Sequence, residues 1–550
     1  MPKWVKRGYG NTISEVIVNA AGVSEQELLH TELEDPRNIA NLKGTADAFI
    51  DAVNSEQPIF IIGDYDSDGL NATAILTKLL QYLEAVNVKT IIPKRISEGY
   101  GLSQDIIDRI TPHSFVMTID NGITAVEEIK ALKNKGCTVA VLDHHLPADE
   151  LPPADFLVDP HIKPEDNGFE YYCGAGLGFQ LARLILEDDS SEEVICLLMC
   201  MTVHAAIATI TDMMPLLDAN RAIVKEGIRI INEHRMELDA GLQALLDAAA
   251  TDLFNEDTFG FKLGPLINAP ARLYNAGGTS VLKELVCQDM SSAKEYVAKM
   301  VNINESRKAI VQEWFLRVCE QLDGYPIPCP LCVYTPGVPE GIVGIIAGKL
   351  TEQFNVPAFM FSESSENGVL KGSGRSGGYV DLTPLLDAVR PLTVKCGGHA
   401  GAAGISVETR NFEKMAAAMK DAYREVYGGA GCAEDVIQYD MELVPEMVNG
   451  AFHEMSRFAP FGQGVEKPVI LIRGFQCVNK FGSHFRCMGA EKNHLKLNGT
   501  FCDAVGFGMV EKYLEMGSPA TVDILCTLNE NRYNGVSTIQ LSLIDFRPTV

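Results

Sequence analysis

Through the first third of the chain, apolar runs of three to five residues alternate with stretches whose apolar positions recur at helical spacing. Ile59-Phe60-Ile61-Ile62 is the first such run. The turn Asp64 to Gly69 follows it, and Ala74, Ile75, Leu79, Tyr82 and Leu83 then predict a helix over 71–86. Segments 89–93, 115–119, 138–142 and 156–158 read as further buried strands, with helices over 104–110 and 125–135 between them. Strands apolar on both faces and separated by helices predict a parallel sheet covered on both sides. Asp64, Asp120 and Asp143 then fall at carboxyl ends of strands, where open α/β sheets collect ligands in one crevice.

A helical stretch over 176–253 comes next and carries Ala208 to Asp212 just before Pro215. Ser291 or Ser292 is positioned to cap a long helix running to about 322, a connector between lobes. A second α/β unit follows, with strands over 331–334 and 358–361, a helix over 342–354, the glycine-rich Lys371 to Arg375, and Gly397-Gly398-His399. From about 469 the pattern changes to short alternating strands with turns at 479–482, 498–499 and 534–535, as in a small β-barrel. The fold class expected is therefore α/β: two α/β lobes joined by a long helix, with a C-terminal barrel. The divisions fall at 1–288, 289–325, 326–432 and 433–550.

A chain of 550 residues exceeds what one hydrophobic core organises, so about two to four domains are expected. No apolar run is read as reaching the roughly 18 to 20 residues that span a bilayer, and the start MPKWVKRGYGN carries no signal stretch. A cytoplasmic protein with no membrane partner is expected. The 14 cysteines sit in apolar segments, as at Cys196, Cys200 and Cys526, and read as core residues of a reducing compartment without disulfides. A formal charge of −27 argues against a nucleic-acid partner, whose phosphates call for Lys and Arg. Its distribution tempers that: residues 471–550 hold 8 Lys and Arg against 7 Asp and Glu, a net of +1, so the preceding 470 residues carry −28.

Candidate chemistry lies in four motifs: Asp64-Tyr65-Asp66-Ser67-Asp68-Gly69, Asp120-Asn121-Gly122, Asp143-His144-His145 and Thr211-Asp212. Singly, each has an ordinary reading, a turn for the first and a helix terminus for the last. Jointly they predict a cluster that holds two divalent cations and hydrolyses a phosphate ester. Asp66 and Asp68, two apart on a turn, reach adjacent cations, and Asp120 can bridge them. Carboxylates favour Mg²⁺, while the imidazole of His144 tilts the preference toward Mn²⁺. His145 is placed to orient the phosphate or to protonate the leaving oxygen. The Cys329-Pro330-Leu331-Cys332 spacing has no second pair and reads as structural.

These motifs resemble the four of the DHH phosphoesterase family, and most closely those of its RecJ-type single-strand-specific exonucleases. Arg95 with Glu98-Gly99-Tyr100-Gly101, Leu263-Gly264-Pro265 with Asn268-Ala269 and Arg272-Leu273 are similar to the same group. Gly341 to Gly344, Ser373 to Arg375, and Gly397 to Ala400 resemble a DHH-associated domain, and Pro460-Phe461-Gly462 with His494 to Lys496 resemble the segments around its OB-fold. The likeness runs from about 35 to 545.

The resemblance implies Asp66, Asp68, Asp120, His144 and Asp212 as metal ligands for two Mn²⁺ or Mg²⁺ ions, with Asp64 and His145 as catalytic residues beside them. It implies that Arg95, Arg272, Ser373, Gly374 and Arg375 contact phosphates near a 5′ end, bordered by Gly397, Gly398 and His399. The activity implied is 5′ to 3′ exonucleolytic hydrolysis of single-stranded DNA to mononucleotides, in DNA repair, recombination or replication. A single-strand-binding protein and a helicase are the partners implied, in a bacterial or phage-infected cell. A phosphodiesterase for short oligonucleotides or cyclic dinucleotides, and a non-catalytic single-strand-binding scaffold, stay open as alternatives. Two departures from the RecJ pattern, Val338-Pro339 in place of an aromatic and a histidine and Pro270-Ala271 before Arg272, bear on substrate contacts rather than on the metal cluster.

Overall fold

A computed structural model describes residues 2–364, 368–428, 436–480, 482–489, 491–533 and 535–549. The expected division at 432/433 and the turn positions Phe481 and Asn534 lie outside the described residues.

After strand β1 (Lys3–Lys6), strands β2 (Ile59–Ile62), β3 (Val88–Ile91), β4 (Phe115–Ile119), β5 (Thr138–Leu142) and β6 (Phe156–Val158) build the first lobe. The last five form one wholly parallel sheet in the order β3-β2-β4-β5-β6. Ile59 and Ile61 enter the core on one side and Phe60 and Ile62 the core on the other, which is why the run is apolar without alternation. The following helix is Ser67–Tyr82, starting earlier than the apolar spacing predicts. Its N-cap is Asp66, whose Oδ1 accepts from the backbone N–H groups of Asp68 and Gly69 at 3.0 and 3.1 Å, so only the first half of the acidic motif is turn.

The helical stretch contains Gly174–Ile185, Glu192–Thr211, Asp218–His234 and Ala240–Ala248. Against expectation, Glu192–Thr211 is long and apolar enough to cross a membrane by length and composition. Its residues 200–209 are buried in the first lobe, which accounts for the composition. The connector is Met290–Leu322, and its cap is neither Ser291 nor Ser292. Asp289 caps it, accepting from Ser292 N–H at 2.7 Å, because its carboxylate, directly before the helix, reaches the free N–H of the first turn.

The second lobe carries β7 (Leu331–Tyr334), β8 (Ala358–Glu363), β9 (Val369–Arg375), β10 (Lys395–Gly398) and β11 (Ala402–Glu408), in the order β10-β11-β9-β8-β7 with only β7 and β8 parallel. The glycine-rich segment is thus strand β9 rather than a turn, so Lys371, Ser373 and Arg375 share one face.

Beyond it, β12 (Val436–Tyr439) pairs in parallel with β1, and Trp4 Nε1 donates to Asp545 Oδ2 at 2.7 Å. The barrel comprises β13 (Met441–Leu443), β14 (Ile470–Gln476), β15 (Phe485–Met488), β16 (His494–Leu497), β17 (Asp503–Gly506), β18 (Thr521–Tyr533) and β19 (Val536–Pro548), ordered β13-β14-β18-β19-β17-β16-β15. At 13 residues each, β18 and β19 are longer than the short strands expected. Asn498-Gly499 is not a hairpin tip. Val478 N–H donates to Asn498 C=O at 2.7 Å and Cys477 bridges Gly499, joining the extension of β14 to the end of β16 and closing the sheet on itself. Cysteines among the described residues are free.

Candidate metal centre

Because β2, β4 and β5 are neighbours, the acidic motifs that follow them emerge side by side. The ladder runs one residue past the strands: Asp120 N–H donates to Leu142 C=O at 2.9 Å and Asp143 N–H to Val158 C=O at 3.0 Å. Asn121 Nδ2 donates to Ile62 C=O at 3.1 Å and to Ile119 C=O at 2.9 Å, stapling the ends that carry Asp64 and Asp120. Gly69 is required by close approach, since a Cβ there would lie 2.6 Å from Asp64 Cβ and 2.7 Å from its Cα. Asp68 reaches across to cap the helix Gly174–Ile185, with Oδ2 accepting from Gly174 N–H at 2.6 Å and Oδ1 from Ala175 N–H at 2.8 Å. Asp212 ends the helix Glu192–Thr211, which Thr211 Oγ1 ties to Ser67 Oγ at 2.9 Å.

Two groups of donor atoms result, Asp64 with Asp66 and Asp120, and Asp68 with His144 and Asp212, each with ligand atoms within 4.8 Å of one another. A third grouping, Asp120 with His144 and His145, joins them. His144 Nε2 lies 3.0 Å from Asp120 Oδ1, 3.5 Å from Asp68 Oδ2 and 3.7 Å from Asp212 Oδ2. Asp64, expected beside the ligands, offers an oxygen within 4.8 Å of those of Asp66 and Asp120. Its buried Oδ1 has no hydrogen-bond partner.

Electrostatics match a cation site. Burial, and then the neighbouring carboxylates, push Asp64, Asp66 and Asp120 upward, and burial followed by Asp68 pushes Asp212 up to about 8. Burial holds His144 below its usual value against the pull of Asp68, so its imidazole is neutral and free to ligate. For His145, burial acts downward but the hydrogen bond and charge of Asp143 outweigh it, leaving the ring at about 9. Asp143 accepts from Ile123 N–H at 2.9 Å and His144 N–H at 2.8 Å, and its Oδ1 lies 2.7 Å from His145 Nδ1. Oxygen-rich donors with one imidazole, short of positive charge and holding an orphaned oxygen, fit Mn²⁺ or Mg²⁺.

A pH signature follows. The unfolded chain releases these aspartate protons near pH 4, whereas the folded, cation-free protein holds them higher, to about 8 at Asp212. The folded state then binds more protons, so its stability falls as pH rises from about 4 to 8. Thermal scans in chelator are expected to show that decline. Mn²⁺ at about 100 times its dissociation constant is expected to add about 2.7 kcal/mol and to reverse the trend. A flat profile in chelator would mean that the carboxylates do not repel one another.

Beside the acidic cluster stand the expected arginines. Arg95 lies 4.8 Å over the Tyr65 ring. Arg272 donates weakly to Gly341 C=O at 3.4 Å, and burial with the charges of Arg95, Arg307 and Arg375 lowers it to about 10. Arg375 Nη1 donates to Gly374 C=O at 2.7 Å. Gly344, near the start of the helix Val343–Phe354, faces Arg375 and Ser373: a Cβ there would lie 3.0 Å from Arg375 Nη2 and 3.4 Å from Ser373 Oγ. The helix continues from the turn Glu340–Ile342, and Val343 N–H donates to Glu340 C=O. Gly397, Gly398 and His399 belong to strand β10 and the turn that follows it. They sit exposed at the β10–β11 hairpin, two strands from Ser373, where His399 N–H donates to Ala402 C=O.

Sequence reasoning missed roles for Asp143 and Tyr100. The Tyr100 hydroxyl donates to Asp120 C=O at 3.0 Å and lies 3.2 Å from His145 Nδ1. Its position within Glu98 to Gly101 was the available signal.

Comparison with known proteins agrees with this arrangement. Models of the DHH family N-terminal domain, the DHHA1 domain and the RecJ OB domain match residues 58–203, 330–425 and 439–545. A single-stranded-DNA-specific exonuclease RecJ of Bacillus subtilis is 30% identical over 95% of this chain, which spans 66% of that protein's length. The RecJ of Dickeya dadantii is 28% identical, over 94% of this chain and 93% of its own. The crystal structure of Thermus thermophilus RecJ in complex with Mn²⁺ superposes with a TM-score of 0.78 at 25% identity, covering 98% of this chain and 76% of that one. With these three domains matched along one chain, the protein belongs to the DHH family, in its RecJ branch.

Proposed function

We propose that the chain is a divalent-cation-dependent exonuclease that hydrolyses single-stranded DNA from the 5′ end to mononucleotides, in repair, recombination or replication. The observation that carries the reading is the pair of carboxylate groups linked through Asp120 and His144, beside arginines that have no carboxylate partner among the described residues. Residues 1–288 supply the ligands with Arg95 and Arg272, 289–325 link the lobes, 326–432 complete the end-phosphate cradle with Ser373 and Arg375, and 433–550 bind the strand. A single-strand-binding protein and a helicase are the partners that would present such a strand, in the cytoplasm.

Two cations held by Asp64, Asp66, Asp68, Asp120, His144 and Asp212 would activate water and offset charge on the attacked phosphate. The chain's own residues do the rest. Arg95, Arg272, Ser373 and Arg375 hold the 5′ phosphate, which fixes the next phosphodiester at the cluster and sets polarity. Water supplies hydroxyl to phosphorus, the bond to O3′ of the terminal nucleotide breaks, and that oxygen takes a proton. His145, protonated at neutral pH through its contact with Asp143, is placed to give it.

Long single strands labelled separately at each end, incubated with Mn²⁺ beside a duplex and a dinucleotide, test the reading. Mononucleotide released first from the 5′ label is expected. Arg375→Ala is expected to slow 5′-phosphorylated strands about 10- to 100-fold, toward the rate of 5′-hydroxyl strands. Cleavage of the dinucleotide alone would move the chain to the short-oligonucleotide phosphodiesterases, and binding without cleavage would make it a scaffold.

A further inference from the structure

Arg307 projects from the middle of the linking helix Met290–Leu322, forms no ion pair among the described residues, and buries an Nε that has no hydrogen-bond partner. In a chain with 73 Asp and Glu, a half-buried guanidinium that feels the charge of Glu305 yet forms no ion pair with it marks a place for an anion from outside.

Its surroundings separate it from the end-phosphate cradle. A cavity of about 460 Å³ lies against Arg307 and is lined by Thr211, Met213, Phe261, Asn268, Arg272 and Ile345, but not by Arg95, Ser373 or Arg375. Arg272, which lines the same cavity, feels the charges of Arg95, Arg307 and Arg375. Arg272 is thus shared between the cradle and this cavity. The cavity also has the character of a nucleoside pocket. Met213, left-handed at φ 56, and Phe261, on the π-helical turn Phe259–Leu263, are 69% and 80% exposed, and Asn268 offers a polar edge. Glu256 and Asp257 on the far wall are paired with Lys467 at 3.3 and 2.6 Å, which offsets their charge.

We infer that Arg307 is a substrate-binding residue: together with Arg272 it holds a phosphodiester on the 3′ side of the scissile bond, while the attached nucleoside occupies the cavity against Met213, Phe261 and Ile345. The inference rests on the nuclease reading and adds a second subsite to it. Its source is the helix between the lobes, so the strand itself bridges them.

Arg307→Ala and Arg307→Lys test it on long single strands carrying either a 5′ phosphate or a 5′ hydroxyl. The alanine variant is expected to raise KM about 10- to 100-fold by the same factor for both ends, with kcat much less affected. It should also flatten the salt dependence of log KM by about 0.7. Lysine, keeping charge without the fork, is expected to recover part of the affinity. Thermal midpoints of both variants serve to exclude misfolding. A penalty confined to 5′-phosphorylated strands would put Arg307 in the end cradle, and an unchanged KM would remove it from the binding surface; either overturns the inference. Fluorescence anisotropy on Asp120→Asn protein, with and without Arg307→Ala, reads the contact without cleavage. Failure of the nuclease reading is thereby told apart from failure of this one.

Discussion

Asp120→Asn is expected to lower single-strand cleavage by about a thousandfold or more while leaving strand binding intact. Asp120 belongs to the group with Asp64 and Asp66 and to the group with His144 and His145, so it alone among the aspartates joins both halves of the centre. The amide keeps its size and the bond to His144 but removes the charge a cation needs. Stability should move the other way. The Asp120 carboxyl is driven upward by burial and then by Asp68, Asp66 and Asp64, a repulsion that the amide relieves. In chelator the variant is therefore expected to melt above the wild type, and on adding Mn²⁺ to gain less. Lower melting in both conditions would show that Asp120 serves packing rather than cations.

Gly174→Ala is expected to cost about a hundredfold in kcat without replacing any ligand. Gly174 is the first residue of the helix that Asp68 caps, and its missing side chain lets Asp120 approach. A Cβ there would lie 2.5 Å from Asp120 Cβ and 3.0 Å from its Cα, contacts that only a backbone shift relieves. Asp120 is already left-handed at φ 61 and anchored to Leu142, so the displacement falls on the ligand geometry. Gly348→Ala, in a helix with nothing within 4 Å of the added carbon, is the control that should leave rate and Mn²⁺ dependence unchanged. Equal rates for the two variants would show that the centre tolerates movement of Asp120.

Much of the first lobe was legible because burial on both faces writes strands as unbroken apolar runs; β2, β4, β5 and β6 have the bounds those runs predict. The acidic motifs stood out for the same reason, as polar groups directly after such runs. Long-range duties were not legible. Asp68 caps a helix 106 residues away, and nothing near Asp68 in the sequence announces it. Arg307 sits between Glu305 and Lys308 in a charged helical stretch, where periodicity alone reads as solvated surface. In the apolar helix Glu192–Thr211, Thr202, His204 and Thr209 interrupt the apolar run, although they are buried and bonded within the lobe. The glycines of β9 look like turn residues until their cross-strand partners, Phe359 and Phe361, are known.

The pairing of β1 with β12 has a consequence for synthesis. Lys3 to Lys6 find their partners at Val436 to Tyr439, and Trp4 finds its own at Asp545. At about 5–20 residues per second, a ribosome leaves β1 without a neighbour for roughly 20–90 s after it emerges. An orphaned strand is a template for mispairing, and flanking lysines are a common guard against it. Lys3 and Lys6, on either side of Trp4 and Val5, are placed to keep the nascent segment solvated until the far end of the chain arrives.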